Sequence, residues 1–126
     1  YCACARAGII IAPVGWRLAP REIAYILADT GAKLLVAASD FVEVAGKAMA
    51  ELEGPPELLG DAAMLEAARA CDPAPFTPCR ADAPILQLYT SGTTGHPKGV
   101  LLSNANLTRL RNEGIAAGLT YYTDYR

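Results

Sequence analysis

The chain has 126 residues, 52% of them hydrophobic and 19% charged, with a formal net charge of −2. That is a globular composition at the length of one domain, and Lys and Arg are scattered rather than clustered, which gives no electrostatic footprint for nucleic acid or an anionic membrane surface. The longest apolar run, around Ile9-Ile10-Ile11, falls far short of a bilayer span.

Taken in order, residues through Ala7 read as the end of a helix that Gly8 terminates, and Ile9 to Val14 as a buried strand rather than an alternating one. Pro20 suits a first-turn position, with Ile23, Ile26, Leu27 and Thr30 forming one face of a helix that Gly31 ends. Lys33 to Ala37 is the next strand, and this strand, helix, strand succession predicts a parallel right-handed crossover in an open sheet. Asp40 and Glu43 form a candidate capping box for a helix whose Phe41, Val44, Ala45, Ala48, Met49 and Leu52 recur at core spacing, with Glu43, Lys47 and Glu51 on its solvent face.

Gly54 to Gly60 reads as a turn carrying Pro and Gly, Asp61 as the cap of an Ala-rich helix running to about Ala70, and the proline-rich Cys71 to Pro84 as a surface connection. Ile85 to Tyr89 is then a strand, Gly99 to Leu102 a short apolar strand, and Ser103 an N-cap for a helix with Leu107, Leu110 and Ile115 facing inward. The chain begins at Tyr1 without an initiator Met and runs out at Tyr121-Tyr-Thr-Asp-Tyr-Arg126 without a closing element, so the expectation is a piece of something longer.

Between the last two strands lies the run Tyr89-Thr-Ser-Gly-Thr-Thr-Gly-His-Pro-Lys-Gly-Val100. Gly92, Gly95 and Gly99 let the backbone turn sharply and approach a ligand closely. The hydroxyls of Thr90, Ser91, Thr93 and Thr94 and the amides around them can donate to anionic oxygens, and Lys98 supplies a compact positive charge. Such a loop suits a triphosphate. It is not the Walker pattern Gly-x-x-x-x-Gly-Lys-Ser/Thr, because Gly92 is followed by Gly95 and then His96-Pro97-Lys98, and because a strand leaves it where a Walker loop opens into a helix.

This run resembles the phosphate-binding loop of the adenylate-forming enzyme superfamily: acyl-CoA synthetases, aryl-CoA ligases, luciferases and peptide-synthetase adenylation domains. Every non-variable position of that loop matches. The segment Gly8 to Val36 resembles the family's upstream block, in the family's order. Two departures are Gly15, where the family usually has Asn, and Asn104 in Leu102-Ser103-Asn104-Ala105-Asn106-Leu107, where it usually has His.

The resemblance implies an α/β fold, part of the large N-terminal domain of such an enzyme, with parallel strand-helix-strand units and a phosphate-loop strand hairpin. Residues 1–126 would then be a partial AMP-binding domain, incomplete at both ends. It implies ATP, Mg²⁺ and coenzyme A as cofactors and a small-molecule carboxylic acid as substrate, a ligase chemistry of the kind fatty-acid metabolism uses, with no nucleic-acid partner and no membrane span. By the same resemblance Thr90, Ser91, Gly92, Thr93, Thr94 and Gly95 wrap the β- and γ-phosphates, Lys98 adds charge, and the Thr90 hydroxyl helps coordinate Mg²⁺. His96 occupies the variable position, Tyr89 reads as a packing residue, and no residue is assigned as catalytic acid, base or nucleophile.

Trp16-Arg17-Leu18-Ala19-Pro20 looks more like the CoA-ligase branch than like amino-acid adenylation domains, the alternative reading, which would pass the acyl group to a carrier protein. A third reading takes Gly92-Thr-Thr-Gly95 as the GxxG clamp of a nucleic-acid-binding module, although that clamp joins two helices. Cys2, Cys4, Cys71 and Cys79 follow no usual zinc spacing, and free thiols in a reducing cytoplasm are the expectation.

Overall fold

The computed structural model describes residues 2–72, 75, 78–90 and 97–118. Their elements are α1 (Cys2–Ala7), α2 (Pro20–Thr30), β1 (Leu34–Ala37), a 3₁₀ turn (Ser39–Phe41), α3 (Val42–Met49), β2 (Glu57–Gly60), α4 (Asp61–Ala70), β3 (Pro84–Thr90), β4 (Lys98–Ser103) and α5 (Asn104–Ala116). The chain divides into two compact units, one built from 13–75 and 91–99, the other from 1–12, 76–90 and 100–126.

In the first of these, β1 and β2 pair in parallel, Leu34 against Glu57 through Ala37 against Gly60, with α3 in the crossover. The helix between is amphipathic and packs on α2 through small side chains. Ile23, Ala24, Leu27 and Ala48 form a buried cluster, with Val14, Leu18, Leu35, Val44 and Met49 against it. Ala24 and Ala48 bring the two helix backbones close, and Ala48 is wholly enclosed.

The α2 boundaries follow the residue chemistry. Pro20 takes the first position, where its missing N–H costs nothing, and the Glu22 carboxylate accepts from the Ala19 amide at 2.7 Å. Ala19 has no oxygen to reciprocate, so only half a capping box exists. At the other end Gly31, at φ 59°, lets its amide reach the Ala28 carbonyl and the Ala32 amide reach Leu27, a Schellman ending. Gly8, at φ 69°, ends α1 in the same way, with Ile9 N–H donating to Cys4 at 2.9 Å.

Five expectations are corrected. The 54–60 turn is a strand over Glu57–Gly60, because Leu58 and Leu59 have β1 to pair with once Gly54, Pro55 and Pro56 have turned the chain. Asp40 and Glu43 make no capping box: the 3₁₀ turn moves the helix start to Val42, and Glu43 instead pairs with Lys47 at 2.6 Å, one turn on. Ile9 to Val14 makes a single parallel bridge, Ile11 with Leu86, and Pro13 has no amide with which to continue a ladder. The parallel strand-helix-strand unit is therefore β1, α3 and β2. Finally, Ile115 is 38% exposed rather than inward-facing. Asp61 stands one place inside α4, its carboxylate accepting from Ala62 N–H at 2.9 Å and from the Ser39 hydroxyl.

In the second unit β3 lies between Ile11 and β4. Ile11 N–H donates to Ile85, Gln87 N–H donates to Ile11, and β3 and β4 are hydrogen-bonded neighbours of a hairpin. Ser103 caps α5 as expected: its hydroxyl accepts from Asn106 N–H at 3.2 Å, and the Asn106 carboxamide oxygen accepts from Ser103 N–H at 2.9 Å. The next two amides go outside the helix, Asn104 N–H to the Ala83 carbonyl at 3.0 Å and Ala105 N–H to Ala81 at 2.8 Å.

Two substitutions test this packing. Leu27→Ala is expected to cost about 2–5 kcal/mol, as truncation at a well-packed site does, and Ser103→Ala about 1 kcal/mol through loss of the cap. Urea unfolding with unchanged m-value is the measurement. A loss below about 0.5 kcal/mol for Leu27→Ala would mean that α2 does not pack as described.

Candidate functional site

The phosphate-loop candidates fall at the mouth of the β3–β4 hairpin. Along β3 the odd positions turn inward, Ile85 being 1% exposed and Gln87 and Tyr89 half-buried, with the Gln87 amide donating to the Tyr89 hydroxyl at 3.0 Å. Strand periodicity puts Thr90 on the opposite, outward face, and it is exposed at the strand's end. Lys98 is the first residue of β4 and is exposed. Ser91, Gly92, Thr93, Thr94, Gly95 and His96 lie outside the described residues.

The strand on each side decides between loop architectures. A Walker loop ends on a helix whose free first-turn amides help hold the anion. Here a strand intervenes, and when α5 does start, its first three amides already have the acceptors Ala83, Ala81 and the Ser103 hydroxyl. Binding of an anion would therefore rest on the loop itself, its hydroxyls and Lys98. A GxxG clamp between two helices is equally unlike this arrangement.

Residues 79–83 close the other end of the hairpin. Arg80 grips Asp82 with two bonds, Nε to Oδ1 at 3.0 Å and Nη2 to Oδ2 at 2.7 Å, and Ala83 N–H closes the turn onto Arg80. The guanidinium holds the Asp82 carboxyl below the ordinary carboxylate range. Because the folded-state value is the lower one, this pair favours folding above the ordinary Asp range and loses that effect as pH falls through the folded value. Both groups are exposed, which keeps the effect small.

Two further concavities lie within the 13–75 and 91–99 unit. One is an apolar cleft of about 120 Å³ lined by Val14, Trp16, Ile23, Leu35, Phe41 and Val44, with Trp16 and Phe41 rings 6.5 Å apart and Arg17 stacked 4.4 Å from the Trp16 ring. The other, about 490 Å³, includes Arg21, Glu22, Tyr25, Glu51 and Pro97. Its two carboxylates outweigh Arg21, which already faces Glu51 at 3.9 Å, so a polyphosphate would meet net repulsion there. Among the described residues no group of three or more His, Cys, Asp or Glu side chains could hold a metal ion, and Cys4, Cys71 and Cys79 carry free thiols. No helix among them is long and apolar enough to cross a membrane.

In the sequence Asn104 stands out only as a departure from the family pattern. The structure gives it a role in the hairpin: its side-chain amide donates to the Cys79 carbonyl at 3.4 Å. A polar residue placed directly after an N-cap serine was the available signal, and it did not identify the acceptor.

Comparison with known proteins agrees with this geometry. The fatty acid–[acyl-carrier-protein] ligase ScoC of Streptomyces coeruleorubidus is 40% identical over 125 residues, which cover 94% of this chain and 23% of that protein. A feruloyl-CoA synthase of an Amycolatopsis species is 39% identical over 107 residues, 84% of this chain and 20% of that one. An inhibitor-bound crystal structure of the N-terminal domain of FACL13 from Mycobacterium tuberculosis superimposes with a TM-score of 0.68 at 32% identity, covering 79% of this chain and 26% of that one. The chain thus spans about a quarter or less of the length of these proteins. The AMP-binding enzyme profile matches residues 1–123, and with the strand-loop-strand geometry on both sides of the glycine- and hydroxyl-rich run, the chain belongs to the AMP-binding enzyme family.

Proposed function

We propose that the protein activates a carboxylic acid with ATP, forming an acyl-adenylate and pyrophosphate, and then passes the acyl group to coenzyme A. Residues 1–126 would form part of the N-terminal AMP-binding domain and supply the triphosphate loop. The observation that carries this reading is the hairpin: outward-facing Thr90 ends one strand, Lys98 begins the next, and the run between them is rich in glycine and hydroxyl groups, in a chain of this family.

Adenylation requires the departing phosphates to be fixed, their charge neutralised and the carboxylate held in line with the α-phosphorus. The donor set fits the first need. Thr90 through Gly95 offer hydroxyl and amide donors to the β- and γ-phosphates, and Lys98 a positive charge free of any ion pair among the described residues. Mg²⁺, when bound, would neutralise developing charge on the phosphates, with the Thr90 hydroxyl among its ligands. The chain's part is to bind and orient. Acid, adenine and ribose recognition and the proton-transferring groups are assigned to residues other than these, and the cytoplasm, where ATP and coenzyme A are available, is the proposed setting.

A second reading concerns the acceptor. ScoC is named for an acyl-carrier-protein acceptor, so a carrier phosphopantetheine thiol stands beside coenzyme A as the alternative nucleophile. Supplying each thiol to the enzyme with preformed acyl-adenylate separates the two by which thioester accumulates.

Carboxylate-dependent exchange of labelled pyrophosphate into ATP by the full-length protein is the direct test, and a panel of fatty, aryl and amino acids identifies the substrate. Cleavage of ATP to ADP and phosphate would refute the proposal. Substituting Thr93, Thr94 or Lys98 should remove charge-assisted hydrogen bonds worth about 1.5–3 kcal/mol each, or roughly ten- to a hundredfold in adenylation rate where the bond is made in the transition state. Preformed acyl-adenylate should bypass most of that defect. Equal damage to both half-reactions would assign the loop a structural role instead. Residues 1–126 expressed alone should be catalytically silent and should not discriminate ATP from GTP or inorganic triphosphate in equilibrium binding; a clear preference for ATP would place adenine recognition within these residues.

A further inference from the structure

Three alternate carbonyls of the segment that enters β3 converge on the start of the helix that leaves β4. Ala83 accepts from Asn104 N–H at 3.0 Å, Ala81 from Ala105 N–H at 2.8 Å, and Cys79 from the Asn104 side-chain amide at 3.4 Å. The first two bonds are made by backbone and would form with almost any residue at these positions. The third depends on the side chain. Asn104 is half-buried, and its own carbonyl accepts from the Thr108 hydroxyl at 2.8 Å, one turn on.

The consequence is one of register. β3 and β4 are neighbours, and a one-residue slip between them would turn every side chain to the opposite face. Such a slip would bring Ile85, now buried, outward, and would turn Thr90 inward. Fastening the base of the hairpin fixes the face on which Thr90 is presented at its mouth.

We propose that Asn104 is a positioning residue for the β3–β4 hairpin and, through it, for Thr90 at the end of β3, acting through its amide bond to the Cys79 carbonyl and touching neither substrate nor phosphate. The register is a matter of fold alone; its value for ATP handling rests on the function proposed above. The resulting experiment has two arms, so that failure of one reading is distinguishable from failure of the other.

Asp and Ala at this position give opposite expectations for two roles. If the side chain served only the helix start, Asn104→Asp would be neutral or favourable, since a carboxylate is welcome in a first helical turn. If it serves the bond to Cys79, Asp sets an acceptor against a carbonyl oxygen and is at least as harmful as Ala. Amide hydrogen exchange in the full-length protein is the first arm. In N104A, peptides spanning 79–90 and 98–106 should exchange about two- to tenfold faster, N104D should do so at least as much, and peptides spanning 20–52 should be unchanged. Unaltered exchange in 79–90 and 98–106, or slower exchange in N104D than in the unsubstituted protein, overturns the assignment.

Pyrophosphate exchange is the second arm. N104A and N104D should raise KM for ATP by about two- to tenfold while leaving KM for the carboxylic acid and thioester formation from preformed acyl-adenylate unchanged. A rise in KM for the acid alone would put Asn104 on the acid-binding side and overturn the proposal, as would altered hydrogen exchange with unaltered KM for ATP. If the unsubstituted protein does not exchange pyrophosphate at all, the proposed function fails, and the hydrogen-exchange arm still decides whether Asn104 holds the hairpin.

Discussion

The first turn of α5 is the constraint on which the hairpin depends. A helix begins with amides that have no acceptor within the helix, and these must find oxygen elsewhere. In this protein they find it in the chain that feeds β3, at Ala83 and Ala81, and in the Ser103 hydroxyl. Because the same amides cannot also face an anion, the helix after the loop is spent on structure. Under the function proposed above, phosphate binding would fall to the loop's own donors, in keeping with the density of hydroxyl and glycine residues between Tyr89 and Val100.

Burial of Ile85 adds a second constraint on the same strand. The side chain is enclosed while Ile11 bridges one edge of β3 and β4 lies along the other. A strand held on both edges with one buried isoleucine has a strongly preferred register. Thr90, five residues further on, must then face outward, since odd separations along a strand change face. Apolar packing near the strand's start thus acts together with the bonds at the hairpin's base in setting the face of the first loop hydroxyl.

Legibility of the fold in the sequence followed how local each cause was. Pro20 and Gly31 bound α2 because one lacks an amide and the other tolerates a positive φ, properties that need no tertiary context. The Ser103 cap was equally local. By contrast, Glu57–Gly60 looked like a turn because Gly54, Pro55, Pro56 and Gly60 surround two leucines; only pairing with β1 makes it a strand. Asp40 and Glu43 had the spacing of a capping box, yet the 3₁₀ turn over Ser39–Phe41 displaced the helix start and left Glu43 to Lys47. In the Ile9 to Val14 run, apolar composition was outweighed by Pro13, which cannot donate to a neighbour.

The candidate site divides along the same line. The chemistry proposed for the loop rests on residue type and spacing over a short stretch, so its candidate hydroxyls, glycines and Lys98 are read from the order of the chain. The device that fixes the hairpin beneath it could not. Asn104 and its acceptor at Cys79 are 25 residues apart, joined by one side-chain bond that leaves no periodicity, no cap signature and no charge pattern. A side chain of that kind has meaning only once β3 and β4 have paired and brought the entering and leaving segments together, and this is why the same Asn could be seen in the sequence as a departure and in the structure as a fastening.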